Sequence, residues 1–201
     1  DTKITGLIKI LNNEEIKSHL GVGLSIPTGS IDQRDSTPTS SNTRLGYGMQ
    51  HSSGTFDPYV FSSNVKDFGR VKVGGQIYFK MPSSGKNIKG YQYGDTFTTN
   101  FWTSYLWANY LSTSLKIDYN HKNKMIGSDN EMNPRMSPAM DSKNHGYVKS
   151  SIGLGINFVN HNDLFKNHRI GLELTIPIYQ KYRGIQMAED FKTIVGWQYG
   201  F

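Results

Sequence analysis

The feature that most constrains this chain is an alternation of apolar and polar residues, repeated with a period of two along most of its 201 residues. A period of two sends successive side chains to opposite faces of a β-strand. In the last segment Phe191, Thr193, Val195, Trp197, Tyr199 and Phe201 fall on one face, against Lys192, Ile194, Gly196, Gln198 and Gly200. Before it, Ile170, Leu172, Leu174, Ile176 and Ile178 oppose Gly171, Glu173, Thr175 and Tyr179. Val148, Ile152, Leu154, Ile156 and Phe158 alternate with Lys149, Ser151, Gly153, Gly155 and Asn157. Leu115, Ile117 and Tyr119 alternate with Lys116, Asp118 and Asn120, and Phe97, Phe101, Tyr105 and Trp107 share a face. Val71, Val73, Ile77 and Phe79 alternate with Lys72, Gly74, Gln76 and Lys80. Leu20, Val22, Leu24 and Ile26 alternate with His19, Gly21, Gly23 and Ser25. Weaker patterns around Ile4–Leu11 and Phe56–Val65 bring the count to about nine strands, with no helix.

Two all-β architectures fit such a pattern, a soluble sandwich and a membrane barrel, and the connections separate them. With the chain end on the periplasmic side, every second connection is short: Asn160–His168, Ala108–Leu111, Lys66–Gly69 and Asn12–Glu15. The alternate ones are long, Pro27–Thr55, Met81–Asp95 and Lys122–Tyr147, or medium, Lys181–Asp190. Long loops outside and short turns inside are the rule of bacterial outer-membrane barrels, and a sandwich has no reason to sort its loops by parity. The expectation is a single domain over 1–201, an antiparallel transmembrane β-barrel in the outer membrane of a Gram-negative bacterium. Its mean hydropathy of −0.53 fits, because barrel strands alternate lipid-facing and lumen-facing residues. Nothing approaches the ~18 consecutive apolar residues of a helical span. The abundance of Tyr (12), Phe (10) and Gly (21) fits a barrel with aromatic girdles,. Without Cys there is neither a disulfide framework nor a thiolate metal site,. An odd strand count is unusual for a single-chain barrel. Further strands, or another chain, are therefore expected before Asp1.

The ending Trp197-Gln198-Tyr199-Gly200-Phe201 resembles the signal that the outer-membrane assembly machinery reads, with Trp197, Tyr199 and Phe201 as its aromatic side. More specific stretches lie elsewhere: LGVGLSIPTGSID over Leu20–Asp32, LGYGMQHSSGTFD over Leu45–Asp57, PIYQKYRG over Pro177–Gly184, then Gln186 and the final GWQYGF. In this order they resemble the outer-membrane transporter family named for the meta-cleavage pathway of phenol degradation. Gly46 and Gly48 around Tyr47, and His51-Ser52 before Ser53-Gly54-Thr55, depart from its usual pattern. The resemblance implies upstream strands and a whole barrel of about twelve. It also implies a transport role that is itself loosely defined.

The functional candidates follow from the faces. With the apolar faces towards lipid, Lys17, Lys72, Lys80, Lys116, Lys149 and Lys192 point to the lumen, with Asp118 and Glu173 among them. A basic lumen between low-dielectric walls would favour anions. Internal pairing with acids would cancel that, and a narrow barrel filled by side chains would conduct little. The net charge of +6 has no basic run behind it, so no nucleic-acid partner is expected,. Met132, Met136 and Met140 are spaced by four, with His121 and His145 on either side, which suits copper in chemistry but not in regularity, because Pro134 and Pro138 interrupt,. No metal or other cofactor is expected. His19, and His51 beside Ser52 and Ser53, are the candidates for hydrolytic chemistry, but no nucleophile elbow surrounds them,. Gly54 is expected to supply an unusual backbone angle at a turn. The leading expectation is a passive channel for small molecules. A non-conducting barrel anchoring a larger envelope assembly is the alternative, and a lipid-modifying enzyme the third. The expected partners are outer-membrane lipid and lipopolysaccharide, the barrel assembly machinery and neighbouring envelope proteins.

Overall fold

The computed structural model describes residues 1–38, 40–160 and 167–200. The expected terminal aromatic Phe201 and most of the connection after Asn160 lie outside these residues. The strands are β1 (Thr2–Asn12), β2 (Ile16–Ile26), β3 (Arg34–Thr37), β4 (Ser40–Arg44), β5 (Asp57–Phe68), β6 (Val71–Lys80) and β7 (Tyr91–Gln92). They continue as β8 (Thr96–Ala108), β9 (Leu111–Lys122), β10 (Ile126–Gly127), β11 (Tyr147–Val159), β12 (His168–Tyr182) and β13 (Lys192–Tyr199). Nine of them form one antiparallel sheet in the order β1-β2-β5-β6-β8-β9-β11-β12-β13. Each long strand pairs with the next long strand in the chain, so the sheet is a meander. The pairs β3-β4 and β7-β10 lie in the loops. Among the described residues β1 and β13 do not pair with each other, and the sheet keeps two open edges.

The sheet is inside out relative to a water-soluble protein. The apolar faces expected from the alternation carry the exposure: Val195 is 73% exposed, Phe101 66% and Leu154 62%. On the opposite face the polar Ser151 and Thr175 are each 2% exposed. Soluble monomers rarely expose contiguous apolar patches beyond a few hundred Å². Here the apolar surface runs across one face of a nine-stranded sheet.

Curvature explains how the polar face becomes buried. Five strands from β6 to β12 line a single cavity on that side, through Lys72, Trp102, Lys116, Asn157 and Glu173 among others. Small residues make the bend possible. Gly21 lies beneath the Phe61 ring, Gly23 beneath Tyr59 and Gly74 beneath Trp102, where an added Cβ would come within 2.4 Å of the indole. Tyr59 reaches across Gly23 to Thr5 two strands away, with their hydroxyls 2.5 Å apart. Glycine on the inner side of a bent sheet leaves room for such crossings.

Two strand details differ from the sequence reading. The connection expected at Lys66–Gly69 is a tighter turn at Gly69–Arg70, because Lys66 and Phe68 still pair with β6. Gly69 takes a positive φ of 80° there, and Asp67 Oδ1 accepts its N–H at 2.8 Å. A bulge separates the pairs Ser150↔Tyr179 and Ser151↔Pro177, which leaves Ile178 as the extra residue. It returns Tyr179 to the apolar side, where it is 51% exposed, instead of opposite Ile178. An inserted residue shifts every later side chain by one face.

The connections sort by end. The segments 27–56, 81–95, 123–146 and 183–191 lie at one end of the sheet. Those over 13–15, 69–70 and 109–110 lie at the other. The three longest fold together into a cap with a small core of its own. Tyr47 and Tyr91 are fully buried and meet edge to face at 4.9 Å, with Met125 and Met132 against them. Gly54 turns the chain back into β5 with φ +69°, as expected for its turn. A side chain there would strike Asn87 and Ile31.

Candidate functional site

The polar face holds the lysines named from the sequence, but most are paired. Lys72 Nζ lies 2.8 Å from Asp67, Lys80 3.0 Å from the fully buried Asp57, and Lys149 3.0 Å from Glu189. Lys116 bridges Glu173 and Asp118, the latter at 3.4 Å, so three of the residues placed in the lumen by alternation form one cluster. Lys17 and Lys192 are exposed. Among the described residues neither lies within ion-pair distance of a carboxylate. Pairing therefore cancels much of the charge expected to line this face. Arg169 and Lys122, which the alternation count passed over, add to it. Arg169 donates to Asn157 at 2.7 Å and lines the cavity that also holds Arg70, Lys72 and Lys116. Lys122 closes β9 on the polar side, opposite Thr96 and Tyr147.

The cap is tied by charge. Arg44 is 2% exposed and Asp129 4%. The Arg44 Nε lies 2.6 Å from Asp129 Oδ2, an ion contact whose N–H is not aimed for a hydrogen bond. Arg44 also reaches Asp32 and the carbonyl of Ile31. Arg34 bridges Asp32 and Glu131, and Lys89 lies 3.2 Å from Glu131 and 3.6 Å from Asp32. Three basic and three acidic side chains thus join segments 27–56, 81–95 and 123–146. Nothing in the alternation could have shown this, since all six lie outside the long strands.

This network sets how the cap responds to acid. Hydrogen bonds from Arg34 and Lys89, and their charges, hold the Glu131 carboxyl below its ordinary value. Desolvation pulls Asp32 upward, but the hydrogen bond and charge of Arg34, with Arg44 and Lys89 behind it, outweigh that and leave it low as well. A carboxyl depressed in the folded state stabilises above its unfolded pKa, near 4, and loses that contribution as pH falls through the folded value. The near-ultraviolet circular dichroism of the buried tyrosines should fall steeply below about pH 4, after a smaller decline below about pH 6.5 from His145, which burial keeps neutral against Tyr47,. Glu131→Gln should shrink that acid step.

The remaining candidates are dispersed. Met132 is buried in the cap core, Met140 is half-buried against the same cluster, and Met136 is 49% exposed. The Met run therefore serves packing at two positions and leaves the third outside. His121 lies on the apolar side of β9 opposite Phe97, away from His145, which packs edge to face on Tyr47 at 5.3 Å. The hydroxyls of Ser52 and Ser53 serve the turn. Ser52 Oγ accepts the Gly54 N–H at 2.9 Å, and Ser53 Oγ donates to the Thr55 carbonyl at 3.2 Å. His19 stands on β2 opposite Ser63 and close to neither serine in register. Trp197 and Tyr199 are exposed on the edge strand, and Trp197 Nε1 donates to His168 Nδ1 at 2.9 Å.

Compared with protein-family profiles and with curated proteins, the chain matches none.

Proposed function

We propose that this chain forms the wall of an outer-membrane β-barrel that acts as a passive channel for small molecules, with a preference for anions. The observation that carries the reading is the inverted polarity: an exposed apolar face across the whole sheet, and a bent polar face lined by Lys, Arg, Asp and Glu. Lipid is the solvent in which such a face is stable, and closure into a ring is what the bilayer requires of strands. In this reading the edges of β1 and β13 are joined by further strands, from this protein or a neighbour, to give about twelve. The sorting of loops by end supports the same orientation, with the capped end outside the cell. The family resemblance carried by Leu20–Asp32, Leu45–Asp57 and Pro177–Gly184 points the same way.

The experiment is conductance in planar bilayers under a salt gradient, with the reversal potential expected to have the sign of anion selectivity. Charge reversal at Lys72 and Lys116 together should shift it towards cations, because Asp67 and Glu173 then lose their counter-charges on the inner face. Neutralising the exposed Lys86 is the control, since an external charge is screened within about 8 Å at physiological salt. Lys89 is not a suitable control, because it is bound into the cap by Glu131. A protein that inserts but does not conduct would instead favour the scaffold role.

A further inference from the structure

The last rung of the polar face at the capped end runs through Lys80, Thr96, Lys122 and Tyr147 on adjacent strands. The loops arch over this rung and leave an open cavity of about 350 Å³. Its walls bring together Lys80 and Lys122 from the sheet with Tyr47, His51, Tyr93 and His145 from the cap. The acids nearby are already engaged. Asp57 is fully buried and holds Lys80, and the Asp1 carboxylate accepts the Ser53 N–H at 3.1 Å and its hydroxyl at 3.3 Å. Lys122 lies over the Tyr93 ring at 4.7 Å, and among the described residues no carboxylate is within ion-pair distance of it. The Nε2 atom of His145 is buried with no hydrogen-bond partner. The other ring nitrogen donates to the Ala139 backbone, so Nε2 is an acceptor in the neutral ring; an anion that offsets the uncompensated Lys122 ammonium favours a proton on Nε2, and in that form completes the arrangement,.

We propose that this cavity binds a small organic carboxylate, with its charged end at Lys122 beside His145 and its body against the Tyr93 ring. A bare inorganic oxyanion would leave most of the space to water, whose share of liquid volume is about 30 Å³ per molecule. The inference rests on the channel reading, for which the cavity is a binding station where the mouth meets the lumen. It concerns affinity at one site, however, and can be tested apart from conduction.

The test follows the His145 imidazole by proton NMR of the full protein in detergent micelles, titrated with butyrate, with uncharged butyramide and with inorganic phosphate. Burial, and then the charge of Lys122, push His145 below its ordinary range, against a backbone hydrogen bond at Ala139 and the charge of Asp141. His51, Lys80 and Asp1 also face the cavity. A carboxylate that offsets Lys122 should raise the His145 pKa as it binds. Butyrate should give a saturable shift of the His145 resonance, and butyramide none. Lys122→Gln should weaken binding about tenfold or more, the worth of one charged hydrogen bond. Lys122→Arg should keep most of it, which guards against a merely unfolded variant, and Lys86→Gln should change nothing. No saturable shift with butyrate, equal affinity in Lys122→Gln, or tighter binding of phosphate than of butyrate would overturn the proposal. Binding without bilayer conductance would leave the site standing and remove the channel; conductance without binding would do the reverse.

Discussion

Replacing Arg44 by alanine is expected to destabilise the cap by about 3–5 kcal/mol, the cost of removing one member of a buried ion pair. The size follows from burial. Asp129 is 4% exposed, and its carboxylate would be left buried with its nearest cation gone. Asp32 and the Ile31 carbonyl lose a donor in the same step. The sheet should survive, because no strand of its ladder depends on Arg44. Limited proteolysis should therefore cut within 27–56 and 123–146 while the strands stay resistant. Removing the stranded charge as well, in Arg44→Ala with Asp129→Ala, should recover a substantial part of the loss, since much of the penalty belongs to the unpaired carboxylate. Equal protease resistance in wild type and Arg44→Ala would show that the loops are held by the Tyr47–Tyr91 packing alone.

The second large effect concerns the apolar face. Leu154 is 62% exposed in the middle of β11, flanked by Leu115 on β9 and Leu174 on β12. In a soluble protein an exposed leucine can become arginine at a cost within about 0.5 kcal/mol. Facing the middle of a bilayer, the same change should cost about 2–4 kcal/mol. Urea titration of Leu154→Arg in lipid vesicles measures it. Ser151→Arg is no control here, because Ser151 is 2% exposed on the crowded inner side. The exposed Lys86 of the capped end is one, and Lys86→Glu should be near neutral. A neutral Leu154→Arg would place this face in water.

The nine long strands were legible because each carries its own record of two environments. Ile170 through Ile176 and Val71 through Phe79 read as strands without reference to any partner, and the structure pairs them in simple sequence order. Register was less legible. The bulge at Ile178 flips Tyr179, and nothing in the alternation marks an inserted residue when both Ile178 and Tyr179 could sit on an apolar surface. The glycine and aromatic pairs that bend the sheet were visible as residues but not as pairs, because Gly74 and Trp102 meet only once β6 and β8 are side by side. The lumen candidates Lys116, Asp118 and Glu173 fell on the expected face, yet their mutual pairing depends on three strands at once. The cap was not legible at all. Tyr47, Tyr91 and Met132 come from three loops with no periodicity, and the spacing of the Met run, weighed for copper and set aside, did not show that two of its members pack the cap core. His145 and Lys122 flank the long loop in sequence, and only the folded loop turns them towards one cavity.

An apolar face that meets lipid and a polar face that meets water can be told apart by the three tryptophans of the chain. Trp107 and Trp197 are 60% and 67% exposed on the apolar side, whereas Trp102 lies over Gly74 on the polar side. Variants that retain one tryptophan each, with the other two changed to phenylalanine, can be reconstituted into vesicles whose acyl chains carry bromine near the headgroup. That arrangement should give strong quenching of Trp107 and Trp197 by the brominated chains and little by aqueous iodide, with Trp102 showing the opposite preference. Quenching of Trp107 and Trp197 by iodide alone, with no response to brominated lipid, would contradict it.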